Sequence, residues 1–211
     1  ANKYQCLTIV DAVTSLGGIE LKVDDWGIDA IYSGSQKCLS CVPGISPVSF
    51  SDRAVSLIQN RKTKVQSWFL DMNLIVGYWG SGAKRAYHHT APVNSMYAMY
   101  ESLLMLREEG LENAWQRHQR GHEALAQGLE ALNLTLAVDK NYRLPQLNVV
   151  EIPSGVNDAD VRQRLLNEFN LEIGAGLGEF AGKVWRIGLM GYACKPRNID
   201  HCLAALKQVL K

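Results

Sequence analysis

Asp11 and Lys37 are the two residues whose type and setting best suit covalent chemistry. Asp11 closes the apolar run Cys6-Leu7-Thr8-Ile9-Val10, short and β-branched enough to be a buried strand. Lys37 follows a second such run, Ile28 to Tyr32, across the small residues Ser33-Gly34-Ser35, which let backbone approach a ligand closely. In an α/β sheet, ligand chemistry gathers at the ends of strands. A buried lysine gives up its proton readily, and the neutral amine forms a Schiff base with an aldehyde. A carboxylate nearby can hold a cationic ring nitrogen. That combination is what pyridoxal phosphate (PLP) needs to act as an electron sink. The same two residues also fit exposed loop charges or a plain salt bridge, and spacing alone does not separate these readings.

Wider motifs separate them. Val10-Asp11-Ala12-Val13-Thr14-Ser15-Leu16-Gly17-Gly18 and Ser33-Gly34-Ser35-Gln36-Lys37 resemble the class V aminotransferases. The resemblance continues in family order through Tyr87-His88-His89-Thr90-Ala91-Pro92 and Gly182-Lys183-Val184-Trp185-Arg186-Ile187-Gly188-Leu189. It implies an α/β chain of the PLP-dependent transferase fold type I: part of a large PLP-binding domain over residues 1–133, then a small α+β domain over 134–211. It also implies transamination between a small amino acid, such as alanine or serine, and an oxo acid such as glyoxylate or pyruvate, by a homodimer.

The resemblance assigns roles by position. Lys37 is the Schiff-base lysine and proton carrier, Asp11 the partner of the pyridine nitrogen, and Val13 an apolar contact on the ring. Gln36 lies near the phosphate or ring oxygen. Tyr87 and Thr90 match positions that reach the cofactor phosphate of the neighbouring subunit, although Thr90 is also a sufficient helix N-cap. Arg186 is the substrate-carboxylate clamp, because a guanidinium fork orients a carboxylate through two parallel hydrogen bonds. An internal salt bridge from Arg186 to Glu172 or Glu179 is the competing expectation. Family chains are about twice this length, so a carboxy-terminal half is expected. The glycine-rich phosphate turn and the ring-stacking aromatic would then belong to the other half. A cysteine desulfurase is the nearest alternative, but Gln36 precedes Lys37 where desulfurases usually have His. A non-catalytic half-chain that completes a partner is the other.

The elements that must position these residues follow from pattern. Strands are predicted over Leu7–Val10, Gly18–Leu21, Ala30–Ser33 and Ile45–Phe50, with Ser51 capping a helix through Ile58. A short helix is expected within Trp68–Tyr78. Two long helices follow, split at Gly110. Their stripes run Val93, Met96, Tyr97, Tyr100, Leu103, Leu104, Leu106 and Leu111, Trp115, His118, His122, Leu125, Leu129, Leu132. The first stripe is expected to be core. His118 and His122 have the spacing of a helical metal pair but lack the intervening Glu, so they read as surface or partly buried histidines, and no metal is expected. Strands at Leu134–Val138, Gln146–Ile152, Leu171–Gly174 and Lys183–Leu189 alternate with helices starting at Asn157 and Pro196.

Composition narrows the classes. In 211 residues, 47% apolar and 20% charged content with net charge +1 give no electrostatic case for nucleic acid or an anionic membrane. No apolar run approaches a membrane span. Five irregularly spaced cysteines suit a reducing, intracellular compartment. Arg61-Lys62-Thr63-Lys64 reads as a solvated turn or a site beside an anion. Gly174-Ala175-Gly176-Leu177-Gly178 imitates a nucleotide loop, but no helix is expected after it to hold a phosphate. Cys38-Leu39-Ser40-Cys41 is a C-x-x-C with no second pair.

Overall fold

Parallel pairing of β1 (Ile9–Asp11) with β2 (Ala30–Tyr32) starts the fold, and β3 (Val48–Phe50) adds antiparallel to β2. The computed structural model describes residues 1–79 and 86–211. Asp29, buried just before β2, fastens this corner. Its carboxylate accepts from the Thr8 amide at 2.9 Å and the Ser51 hydroxyl at 3.0 Å, and it meets Arg53 at 3.2 Å. The Thr8 amide first, then Ser51 and Arg53, hold the Asp29 carboxyl below the ordinary carboxylate range. Ser51 also caps α1 (Asp52–Gln59) as expected, accepting from the Ala54 amide.

After α2 (Met72–Trp79) come the long helices α3 (Val93–Glu109) and α4 (Leu111–Ala131), separated by Gly110. The second sheet has the order β4-β6-β5, all antiparallel: β4 (Leu147–Glu151), β6 (Val184–Gly188) and the short β5 (Gly174–Ala175). Helices α5 (Asp158–Phe169) and α6 (Pro196–Val209) complete it, with Asn157 capping α5 and Pro196 opening α6. The main core lies here. Trp185, Val150, Leu165 and Leu206 pack with Leu125 and Leu129 of α4, all at 0% exposure. The indole N–H of Trp185 donates to Asp158, so even the polar edge of this ring is satisfied. No described helix is long and apolar enough to cross a membrane.

Several expectations need correction. Gly18–Leu21 is not a strand. Gly17 at φ +83° turns the chain, leaving one bridge between Leu16 and Ile19. Leu134–Val138 keeps one bridge, Leu136 to Val150, after Asn133 enters the left-handed region at φ +58°. The predicted Leu171–Gly174 strand shrinks to Gly174–Ala175. Strands β1 to β3 are not buried on both faces, since Ile9, Tyr32 and Val48 are exposed. Helix α3 also differs. Tyr97 and Tyr100 are 73% and 64% exposed, and only Met99 and Ser102 of the helix are buried. Its apolar side chains ring the helix, so periodicity located the helix but could not choose its inner face. On α4 the inner face is the predicted one from His118 to Leu129, but His118 and His122 are buried on it rather than lying at or near the surface.

The second-sheet core should carry most of the measurable stability. Leu206→Ala is expected to lower the unfolding free energy by about 2–5 kcal/mol. Leu177→Ala, at a 66% exposed position, should change it by no more than about 0.5 kcal/mol. Urea unfolding followed by tryptophan fluorescence checks both.

Candidate functional site

The carboxyl ends of β1 and β2 bring the first group of candidate residues together. Asp11 ends β1 in register with Tyr32, and Lys37 lies in the turn that leaves β2. That turn is clasped from several sides. The Ser33 hydroxyl donates to the carbonyl of Ala12 and the Ser33 amide to that of Pro47. Ser35, fully buried, donates through its amide to Ile45 and through its hydroxyl to Val42. Ser102 of α3 donates to the Leu39 carbonyl. Lys37 is half-buried, and among the described residues no carboxylate lies within ion-pair distance of it. Val13 is half-buried next to Asp11. Gln36 is exposed and folds back over Gly34, where a Cβ would come within 2.6 Å of the Gln36 Oε1.

Asp11 is exposed rather than buried, because β1 is an edge strand here. Its Oδ1 accepts from the Val13 amide at 2.8 Å and its Oδ2 from the Tyr32 hydroxyl at 2.9 Å. The hydrogen-bonded Asp11 pushes the Tyr32 phenol above its ordinary value, so Tyr32 stays the donor. An ionised carboxylate has about four acceptor directions, and two are used. The group is therefore oriented and can still accept from a protonated ring nitrogen. A primary amine, an oriented carboxylate and close-approach backbone at one end of a parallel pair fit PLP. Asp11, Val13, Gln36 and Lys37 are the residues that would hold it.

The remaining candidates lie apart from this group. Tyr87 and Thr90 are joined hydroxyl to hydroxyl at 2.6 Å, both exposed. Thr90 does not cap α3; Pro92 occupies that position without a side-chain bond. The pair sits on an aromatic cluster in which His88 stacks on Trp68 at 4.0 Å and donates to the Trp68 carbonyl.

Arg186 is at the centre of β6, opposite Val149. Strand alternation puts it on the face away from Trp185 and the core. It is half-buried, its Nε donates to the Ala175 carbonyl at 2.7 Å, and no carboxylate pairs with it among the described residues. The expected rival bridge to Glu172 or Glu179 is not formed. Gly174 beside it leaves the guanidinium uncovered: a Cβ there would already sit 3.4 Å from Nε and Nη2. The fork remains available for a carboxylate.

Sequence reasoning missed the residues that tie these pieces together. His118 donates through Nδ1 to the Ala114 carbonyl and accepts through Nε2 from the Gly191 amide at 2.9 Å. Arg117 pairs with Glu109 and donates to the Gly191 carbonyl at 2.7 Å. Gln146, fully buried, donates through its side-chain Nε2 to the Thr14 carbonyl at 2.9 Å, while its backbone carbonyl accepts from the Leu189 amide. The adjacent basic pair Arg117-His118 on a helical stripe was the one signal available. Burial pushes the Cys38 thiol up to about 11, leaving it a protonated donor to Thr14 and a poor redox partner for half-buried Cys41. Among the described residues no three potential metal ligands cluster, and His122 donates to Asn148.

The model described as Aminotransferase class-V matches residues 1–194. The chain belongs to the class-V aminotransferase family. It is 44% identical over its whole length to alanine–glyoxylate aminotransferase of Rattus norvegicus, of which it covers 51%. It is 38% identical over 97% of its length to (S)-ureidoglycine–glyoxylate transaminase of Bacillus subtilis (strain 168), covering 53% of that protein. The crystal structure of alanine–glyoxylate aminotransferase from Nostoc sp. superposes with a TM-score of 0.96 at 52% identity, over 100% of this chain and 55% of that one. The chain thus spans about half the length of the relatives it matches. Its α/β architecture is that of the PLP-dependent fold type I transferases.

Within this class-V chain, His118 gives a pH signature. Burial, partly opposed by the bond to Ala114, lowers its pKa below the ordinary imidazole value. As pH falls below about 6.5, the unfolded chain takes up a proton that the folded site resists. The His118 contribution to stability is therefore complete above that pH and declines toward the lower folded value. The unfolding midpoint should drop between about pH 7.5 and pH 5.5, and His118→Gln should make that drop shallower. Thermal melts of both proteins at matched ionic strength check this.

Proposed function

We propose that the protein carrying this chain is a PLP-dependent aminotransferase that moves the amino group of a small amino acid to glyoxylate or a similar oxo acid. The observation that carries this is the placement of Asp11 and Lys37 at one end of the parallel pair. The carboxylate there keeps acceptor capacity, and among the described residues no ion pair occupies the amine. When bound, PLP supplies an electron sink for the bond broken at the substrate α-carbon. Lys37 Nζ is the covalent anchor and, once displaced, the base that takes the α-proton and returns it. Asp11 accepts the ring N–H and keeps the ring cationic. Val13 packs on the ring, Gln36 contributes a polar contact, and Tyr87 with Thr90 offers two hydroxyls to the phosphate of a second subunit. Arg186 orients the substrate carboxylate.

Glyoxylate is the better-supported acceptor, because the names of both relatives include it while their amino donors differ. A homodimer follows from the same reading, and the exposed Tyr97, Tyr100, Trp68 and Phe69 supply apolar surface for it. So does the division into a large-domain portion over 1–133 and a small domain over 134–211, although α4 contributes Leu125 and Leu129 to the core of the latter. The reading also makes it a soluble intracellular enzyme.

The test uses the PLP-loaded protein. Alanine should bleach the visible absorbance with release of pyruvate, and glyoxylate should restore it with formation of glycine, giving ping-pong kinetics. No response to any small amino acid, or sulfide release from cysteine instead, would refute the assignment. Arg186→Gln should raise KM for the donor by about 30-fold or more, the equivalent of about 2 kcal/mol or more from a lost charge-paired contact. An unchanged KM would remove Arg186 from the site.

A further inference from the structure

Lys37 and Arg186 lie on different elements, and transamination needs them at a fixed separation. An amino acid held by its carboxylate must present its α-carbon to one amine. A misplacement of about 1 Å costs on the order of a hundredfold in rate. The structure contains a contact suited to fixing that separation. Three residues after Lys37, Ser40 adopts φ +60°, a left-handed conformation that a non-glycine residue takes only when its surroundings impose it. Its hydroxyl accepts from the Tyr192 amide at 2.7 Å and reaches back to the Cys38 carbonyl at 3.5 Å. Tyr192 lies in the loop that directly continues β6, the strand carrying Arg186.

The fit at this contact is close. Gly191, at φ +55°, packs its Cα so near the turn that an added Cβ would lie 1.9 Å from the Ser40 Oγ and 2.8 Å from the Cys38 carbonyl. The same glycine is held through both backbone groups, by His118 on its amide and Arg117 on its carbonyl. The loop facing Ser40 is therefore anchored to α4 and not free to follow the turn. A second tie runs from Thr14 through Gln146 to Leu189 and connects the Asp11 segment to the same strand. That tie does not depend on Ser40.

We propose that Ser40 is a positioning residue: by clasping the Tyr192 amide it sets the distance between the Lys37 amine and the Arg186 guanidinium. This rests on the aminotransferase reading given above. In this role Ser40 acts by joining the loop after Lys37 to the loop that continues the Arg186 strand, not by binding substrate or cofactor itself.

The test compares the PLP-loaded parent protein with Ser40→Gly, which removes the hydroxyl while relaxing the left-handed backbone, and Ser40→Ala, which keeps the Cβ. Propionate serves as an unreactive carboxylate for Arg186. Its binding should move the pH midpoint of the visible PLP absorbance, because a charge arrives at a fixed distance from the Lys37 nitrogen. In Ser40→Gly that movement is expected to fall below about half of the parent's and kcat to drop about tenfold or more. KM for alanine should stay within about threefold, and PLP content and melting temperature should match the parent. If both variants keep the propionate effect and kcat within about twofold, the proposal is overturned. Loss of kcat in step with PLP and melting temperature, with the propionate effect intact, also overturns it, since that is a merely structural role. A parent protein with no visible PLP absorbance would instead sink the aminotransferase reading itself, and the role of Ser40 with it.

Discussion

Parallel registration of β1 with β2 is the constraint on which the rest depends. Aligned strands put their carboxyl ends on the same side, so the carboxylate that ends β1 and the lysine turn that leaves β2 have to be neighbours. An antiparallel pairing of the same sequences would send them to opposite edges. The register is fixed by groups outside the strands themselves. Asp29 binds the Thr8 amide ahead of β1, Tyr32 binds Asp11 across the pair, and Ser33 binds Ala12 just past it. None of these contacts is apolar. In a three-stranded sheet with exposed faces, directional hydrogen bonds specify the register that burial would otherwise set.

The second sheet works by the opposite means. Its core is apolar and continuous, with Trp185, Leu206 and Leu165 fully buried. Alternation along β6 converts that burial into orientation, since a tryptophan fixed inward at one position turns the arginine at the next outward. Arg186 thus meets solvent on a strand whose neighbours are otherwise apolar, and it needs no internal carboxylate. The two sheets are linked by polar contacts of long sequence separation, Gln146 to Thr14 and Tyr192 to Ser40. These directional bonds join the segments that carry the candidate residues.

What could be read in the sequence, and what could not, divides along the same physical line. Several helix signals held. Ser51 and Asn157 cap helices, Pro196 opens one, and the stripe from His118 to Leu129 lies on the buried face of α4. Asp11, Val13, Gln36 and Lys37 were legible as a group because strand ends and a distinctive motif coincide there. Signals that depend on partners were not legible. The Gly18–Leu21 run alternates well enough for a strand, but Gly17 turns it and Cys38 with Gln146 crowds it from the far side. The α3 stripe has the right period, yet its apolar residues surround the helix. His118, Arg117 and Gly191 meet only through tertiary structure, and no periodicity announces a backbone amide as the partner of an imidazole.

The most direct measurement of the central claim is chemical. The protein loaded with PLP is reduced with borohydride, digested, and its modified peptide located by mass spectrometry. The account predicts a single phosphopyridoxyl group on the Nζ of Lys37, in the peptide that contains Ser33-Gly34-Ser35-Gln36. An adduct on another lysine, or none on a protein that retains its fold, would contradict it.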